Sequence, residues 1–394
     1  MAKQSDMSAR TRALRALLCV VGLVGASAPC AADTDAPDET ATASRFFSAD
    51  GWFDVSGFLD TAYGFIPVVA PITEPAVGYG AAAALVFVDR EAPGHAEAYA
   101  RPNIGVVGGL STENGTRGAF AGHLGTWADG RLRTLVAFAD ANVNLDFFGL
   151  GGARTPGGPG LGYTITARGG VAGGNYRPTE NPVWVGLRYA LVKTSVTLNL
   201  PDFGTSITPS DLDLRLAALT PSLTLDMRNN FFTPTQGWYV DLSVPVFRDA
   251  WGSDRNFEKA SLTAMYYQPL SRSLFFALRG SGETSSSGTP FYLRPYVSLR
   301  GVQALRYQGD QAAETEAELR WQLHPRFSLV GFGGVGIARG DNVTRSSEQT
   351  VAAGGVGVRY LIAEKYGIHM GIDVAFGPNE PIFYVVFGSA WTRP

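Results

Sequence analysis

From Trp52 to Trp391 the chain repeats one texture: stretches in which apolar and polar side chains alternate one by one, separated by turn residues. Successive side chains of a strand point to opposite faces, so each stretch has one apolar and one polar face. Leu212, Leu214 and Leu216 alternate with Asp211, Asp213 and Arg215, and Leu223, Leu225 and Met227 with Thr224, Asp226 and Arg228. Ala139, Ala141, Val143 and Leu145 alternate with Asp140, Asn142, Asn144 and Asp146. Thr315, Ala317, Leu319, Trp321 and Leu323 oppose Glu314, Glu316, Glu318, Arg320 and Gln322. Ile368, Met370, Ile372, Val374 and Phe376 oppose His369, Gly371, Asp373 and Ala375. Polar faces charged in mid-strand suit the wet lumen of a transmembrane barrel better than the core of a β-sandwich.

The spacing gives about sixteen strands, each near the length that crosses a bilayer at a tilt. Connections on one side are long: 148–160, 201–210, 248–256, 281–311 and 339–349. Turns on the other side are short: 128–131, 178–182, 269–273, 324–326 and 363–366. Long outer loops and short periplasmic turns belong to outer-membrane barrels, and only the connection 90–102 departs from that rule. Aromatic pairs near the strand ends (Phe147-Phe148, Phe231-Phe232, Trp238-Tyr239, Tyr266-Tyr267), with Tyr366, are expected to form interfacial girdles. A last strand is expected over 382–391, with Phe383, Val385, Phe387, Ser389 and Trp391 on one face. The fold class that follows is all-β, a transmembrane antiparallel barrel.

Residues 1–32 are a separate object. Lys3, Arg10, Arg12 and Arg15 precede an apolar run over 16–26, and Cys30-Ala31-Ala32 leads to Asp33. This is the three-part pattern of a cleaved secretory signal. Pro29 stands where lipidation of Cys30 would require a small residue, so a lipid anchor is not expected. Both cysteines, Cys19 and Cys30, fall within the signal, so no disulfide or thiolate metal site is expected in the mature chain. Its loss leaves the remainder more acidic than the net charge of −3 of the whole chain, which excludes a basic nucleic-acid surface. Residues 33–51 read as a short polar periplasmic extension, and 52–394 as the barrel.

Three motifs carry a resemblance. Asp226-Met227-Arg228-Asn229-Asn230 is followed by Pro234-Thr235-Gln236-Gly237; Leu299-Arg300-Gly301-Val302 lies in the longest connection; Phe332-Gly333-Gly334-Val335-Gly336 lies in a later strand. With Phe147-Phe148-Gly149-Leu150-Gly151 and Gly355-Val356-Gly357-Val358-Arg359, in this order, they resemble the BamA/TamA-like outer-membrane proteins, the bacterial surface antigen family. The resemblance covers roughly residues 62–391. It implies an inward-folded extracellular loop with Arg300 at its tip, and a periplasmic turn built on Asp226, Arg228, Asn230, Pro234 and Gly237. The family's second aspartate of the turn motif is Asn229 here, its aromatic at the loop tip is Val302, and its strand aspartate, which locks the loop arginine, is replaced by Gly334. A buried arginine needs partners, and the polar faces offer Glu314, Glu316, Glu318 and Asp373. The family's periplasmic POTRA modules have no counterpart in the short stretch before the barrel, so a barrel-only form is expected.

The function that the resemblance implies is insertion or translocation of proteins, or lipids, at the outer membrane. Its partners would be membrane lipids and lipopolysaccharide, an unfolded client protein and a separate periplasmic protein. A passive or plugged pore is the alternative. No cofactor or nucleotide is implied. His95, His123, His324 and His369 make no metal-ligand spacing, no G-x-S-x-G or H-E-x-x-H occurs, and His369 and Asp373 would stand about 13 Å apart on one strand. Enzymatic activity is not expected. The glycine pairs 169–170 and 173–174 suit close strand approach rather than a phosphate loop.

Overall fold

The structure is a computed structural model that describes residues 46–48, 50–61, 64–89, 103–148, 160–198, 213–342 and 345–391. The expected signal, most of the polar extension, the connection 90–102, Gly149–Gly151, the loop 201–210 and residues 392–394 lie outside the described residues.

Among the described residues seventeen strands form one sheet. They are β1 (Gly64–Ile72), β2 (Gly80–Asp89), β3 (Asn103–Thr112), β4 (Arg117–Trp127), β5 (Leu132–Phe147), β6 (Leu161–Tyr176), β7 (Val183–Leu198) and β8 (Asp213–Asp226). There follow β9 (Gly237–Ser243), β10 (Val246–Phe247), β11 (Phe257–Pro269), β12 (Leu274–Ser285), β13 (Gln311–His324) and β14 (Phe327–Asn342). The last are β15 (Arg345–Ala363), β16 (Ile368–Phe376) and β17 (Ile382–Phe387). Among the described residues a short helix, α1 (Ser56–Thr61), precedes them. β9 and β10 both pair with β8 and β11 and are one strand interrupted at Val244-Pro245, where proline has no N–H for the ladder. The count is therefore the sixteen expected. Each strand pairs antiparallel with its neighbour in the chain, and the sheet curls into a barrel.

The alternation sorts into faces as the sequence suggests on β13 and β16. Leu319, Trp321 and Leu323 are exposed on the outer wall, while Glu316 and Arg320 are buried on the inner one. Ile372 and Phe376 face out and Asp373 faces in. On β5 and the upper part of β8 the faces are reversed. Leu214 and Leu216 are buried inside against Tyr163, Val196 and Tyr292, and Asp213 and Arg215 point out. Asp140 and Arg168 likewise pair on the outer face, opposite Ala139 and Ala141 on the cavity wall. The charged outer side of these stretches suits water, and inside, Leu145, Phe147, Leu214 and Leu216 pack on Phe291 and Tyr292 of a folded-in loop, so the pattern inverts from that of a membrane wall.

Three more expectations change. The stretch 339–349 is a hairpin, with Asn342 opposite Arg345, because strands outside the bilayer tolerate polar residues on both faces. Phe147 and Phe148 are no girdle: Phe147 packs on Phe291 and Phe148 is buried under Arg306. Tyr239 and Tyr267 are also buried inside, and the outer girdle is made by Trp127, Tyr176, Trp238 and Trp321. The last strand stops at Phe387. Gly388, at φ +72°, turns the chain inward, Ser389 N–H donates to Phe232 O, and Trp391 ends 4% exposed beside Tyr239, Met265 and Tyr267. The glycine pairs act by close approach: a Cβ on Gly169 would lie 2.6 Å from Val192 Cα, and one on Gly173 2.6 Å from Arg188 Cα.

Candidate functional site

Between β12 and β13 the loop 286–310 folds into the barrel, shorter at both ends than the 281–311 expected. Tyr292 packs in the upper cluster and its hydroxyl lies 2.8 Å from Thr194 Oγ1. The descending and ascending arms pair through Val297 N–H to Tyr307 O and Gly309 N–H to Pro295 O. Val297, Leu299, Val302 and Tyr307 pack on Ala312, Ala338 and Val351 of the wall. The apolar Val302 therefore holds the tip by burial where the family has an aromatic.

The tip turns at Gly301, where Val302 N–H donates to Leu299 O. Gly301 has φ +90°, and a Cβ there would sit 3.2 Å from both Ala353 and Ala375, so backbone and space both require glycine. Its N–H donates to Tyr384 Oη at 3.1 Å.

Arg300 then points at the wall. Its Nε donates to Glu316 Oε1 at 2.8 Å, Nη2 lies 2.8 Å from Glu318 Oε2, and Nη1 donates to Asp373 Oδ2 at 2.8 Å. The guanidinium carbon sits 3.6 Å above the Phe332 ring centre, a cation–π contact. Three of the four proposed partners thus meet Arg300. Glu314, two positions up the strand, pairs instead with Arg279. Sequence reasoning missed three further members. Arg359 donates to both oxygens of Asp373, which is fully buried. Arg320 stands two residues from Glu318 on the same face. Trp391 Nε1–H donates to Glu316 Oε1 at 2.7 Å. The G-x-G-x-R stretch held a hint of the first: a Cβ on Gly357 would collide with Asp373 Oδ1, so glycine there admits the pair. Arg300, Arg320 and Arg359 face Glu316, Glu318 and Asp373, a wall balanced in formal charge.

The turn after β8 does more than reverse the chain. Arg228 and Asp226 form a two-pronged pair, with Nε–Oδ1 2.8 Å and Nη2–Oδ2 3.0 Å, and the guanidinium stacks on Tyr239. Asn229 accepts from Thr235 N–H and Gln236 N–H, and its amide donates to Thr235 Oγ1, which an aspartate could not do. Asn230 accepts from Phe232 N–H and donates to Tyr366 O, carrying the turn, with Pro234 in it, across the mouth to the β15–β16 connection. Gly237 has φ +111° and leaves no room for a Cβ beside Met227 O.

At the same end, residues 46–48 and 50–58 lie against the turns of β13–β14 and β15–β16. Arg326, 1% exposed, binds Asp50 Oδ2 at 2.7 Å, Asp54 Oδ2 at 2.6 Å and Glu364 Oε2 at 2.9 Å. Trp52 stacks edge-on to Phe327, and Val55 N–H donates to Ile362 O. The hydrogen bond from Arg326 holds the Asp50 carboxyl well below the usual carboxylate range. Burial opposes ionisation of Asp54, but hydrogen bonds from Ser56 and Arg326 outweigh it and lower its pKa too. Both folded values lie below the unfolded ones, so this contribution is full above the ordinary carboxyl pKa of about 4 and fades only as pH falls below it. Protection of residues 46–48 and 50–58 against hydrogen exchange, taken relative to the intrinsic rate at each pH, is therefore expected to be equally high at pH 7 and pH 5. Arg326→Ala is expected to lower this protection at both; protection retained in that variant would show that the aromatic contacts suffice.

A model of the Omp85 superfamily domain matches residues 185–383. Comparison with the curated proteins returns no match. Among solved structures, the chain is similar to BamA from Haemophilus ducreyi lacking POTRA domains 1–3, with 11% identity, TM-score 0.57, and 83% of this chain and 70% of that one covered. It is also similar to CdiB from Escherichia coli (13% identity, TM-score 0.55, 82% and 62% covered) and CdiB from Acinetobacter baumannii (12%, 0.52, 82% and 58%). The chain spans less than two thirds of either CdiB. At these identities the structural likeness shows the fold, a barrel of the same build.

Proposed function

We propose that this chain, which belongs to the Omp85 superfamily and is an integral outer-membrane β-barrel, takes part in inserting or translocating proteins by capturing an incoming strand at the edge of β17. The observation that carries the reading is the seam between the first and last strands. Among the described residues no backbone pairing joins β1 to β17. Free strand edges template pairing with another strand.

The two edges differ in what they offer. Glu113 N–H donates to Tyr79 O, which sets the odd residues of β2 toward β3 and the even ones toward β1. On β1 the even residues therefore face β2, and Phe65, Pro67, Val69 and Pro71 face the seam. Pro67 and Pro71 have no N–H, so half the donors of that edge are missing. Gly388 N–H donates to His369 O, which by the same reasoning turns the N–H and C=O of Phe383, Val385 and Phe387 to the seam. All three keep their donors. β17 is the better template and β1 is the blunted edge.

The test compares the outer-membrane proteins of a deletion strain with those of its parent. Loss of one protein or a small group is expected, restored by the wild-type gene and by Val69→Pro but not by Val385→Pro. Each substitution removes only a seam-facing N–H, and the gel shift of the folded barrel on heating checks that both variants fold. An unchanged proteome would sink this reading and leave the plugged pore, which the loop 286–310 lying inside the lumen favours.

A further inference from the structure

We propose that the lumen holds a binding site for an amphiphile with a long acyl chain and an anionic head group, the chain lying on β2–β6 and the head at Arg188. The observation is an apolar inner wall. On β2–β5 the outer face is already apolar and exposed, with Leu85, Phe87, Val107, Val136 and Phe138 meeting lipid. The alternate residues point inward and are apolar as well: Val88, Ile104, Val106, Phe120, Leu124 and Leu135 line a cavity of about 1510 Å³. A wall that met only water would carry polar side chains there, as it does across the lumen. On that opposite wall stand Asp241, Ser243, Thr263, Ser281, Glu283 and Glu314.

The charges on the cavity assign the head group. Each acid there has a partner in the wall: Asp226 binds Arg228, Asp241 accepts from Thr224, Glu283 pairs with Lys259 and Glu314 with Arg279. Arg133 stacks on Trp184. Arg188, half-buried on β7 between the two walls, makes no hydrogen bond or ion pair among the described residues. Its stem lies over Gly173, whose missing side chain leaves it room. A cation on the cavity wall without an acid suits an anion, and the adjoining apolar wall suits the chain attached to it. The wall includes Ile66 and Val88 of β1 and β2, next to the seam, so a chain drawn from the bilayer reaches it without crossing water. This site does not depend on the strand-capture reading.

The test is equilibrium binding of radiolabelled oleate to the full-length barrel held in an amphipathic polymer free of detergent and lipid. Oleyl alcohol and oleoyl lysophosphatidate serve as parallel probes. Saturable binding of oleate is expected. Arg188→Gln is expected to weaken it about tenfold or more, the loss of one charge-assisted contact, while leaving oleyl alcohol unchanged. Ala137→Phe, which narrows the apolar wall, is expected to weaken both. Tighter binding of lysophosphatidate than of oleate would assign the head to a phosphate, and the reverse to a carboxylate; both support the site. Non-saturable binding, or binding untouched by both substitutions in variants that keep the folded gel mobility, would overturn it.

Discussion

Arg300→Ala should cost the barrel about 3–5 kcal/mol of stability, the range for stripping one partner from a buried ion pair. The side chain is 9% exposed, Glu316 2% and Asp373 0%. Without it, Arg320 and Arg359 face three buried carboxylates, and one negative charge is left without compensation. Arg300→Lys keeps the charge but cannot fork to Glu316, Glu318 and Asp373 together, so its loss should fall between wild type and alanine. Combining Arg300→Ala with Glu316→Gln removes one charge of each sign and should recover part of the loss. The pair on the surface sets the control. Arg131 bonds Glu180 with side chains 41% and 76% exposed, and Arg131→Ala should cost no more than about 1 kcal/mol. Urea unfolding of the reconstituted barrel, followed by tryptophan fluorescence, measures all four. A loss for Arg300→Ala no larger than for Arg131→Ala would mean that packing of Val297, Leu299 and Val302, and not the ionic wall, holds the loop.

Much of this wall was legible in the sequence because it lies inside the bilayer. On β13 the period of two sets Glu314, Glu316 and Glu318 opposite Thr315, Ala317 and Leu319, and lipid on one side leaves the acids only the lumen to face. A buried arginine needs acids, so Arg300 and its partners could be sought together. Alternation alone does not say which face is inside. On β5 and upper β8 the same period of two describes a stretch in water packed on a plug, and the apolar side faces in. That reversal needs the position of the bilayer along each strand, which no local pattern supplies. Continuing the period of two through Phe387 sets Trp391 on the same face as Phe383 and Val385, which the structure does not do. Gly388 was the clue against it, since a glycine free to take φ +72° lets the chain leave the strand. The missing donors of Pro67 and Pro71 are visible in the sequence, but which edge they face depends on the register of β1 with β2 and β2 with β3.

Restoring the aspartate that the family carries at position 334 should weaken the loop lock, not strengthen it. Resemblance alone argues the opposite, since an added carboxylate near Arg300 looks like a fourth partner. The packing decides against it. A Cβ on Gly334 would lie 2.5 Å from Thr315 O, 3.0 Å from Leu299 Cδ2 and 3.1 Å from Glu316 Cα. Two of these atoms are backbone of the paired strand and cannot move aside, and the third belongs to the loop itself. Gly334→Ala isolates the steric part, expected at about 1–3 kcal/mol for overpacking. Gly334→Asp adds a fourth acid to a wall whose three acids already match its three arginines, and should cost more than alanine. In this chain Asp373 on β16 binds both Arg300 and Arg359, and Leu299 stands where a side chain at 334 would need space. Urea unfolding of the two variants beside Arg300→Ala separates the cases. If Gly334→Asp proves more stable than Gly334→Ala, Arg300 can swing to the new carboxylate and the wall retains the older arrangement as a second state. If it proves less stable, the loop geometry has no room for a carboxylate at 334, and Asp373, which binds both Arg300 and Arg359, carries that side of the lock, so Asp373→Asn should then approach the loss of Arg300→Ala.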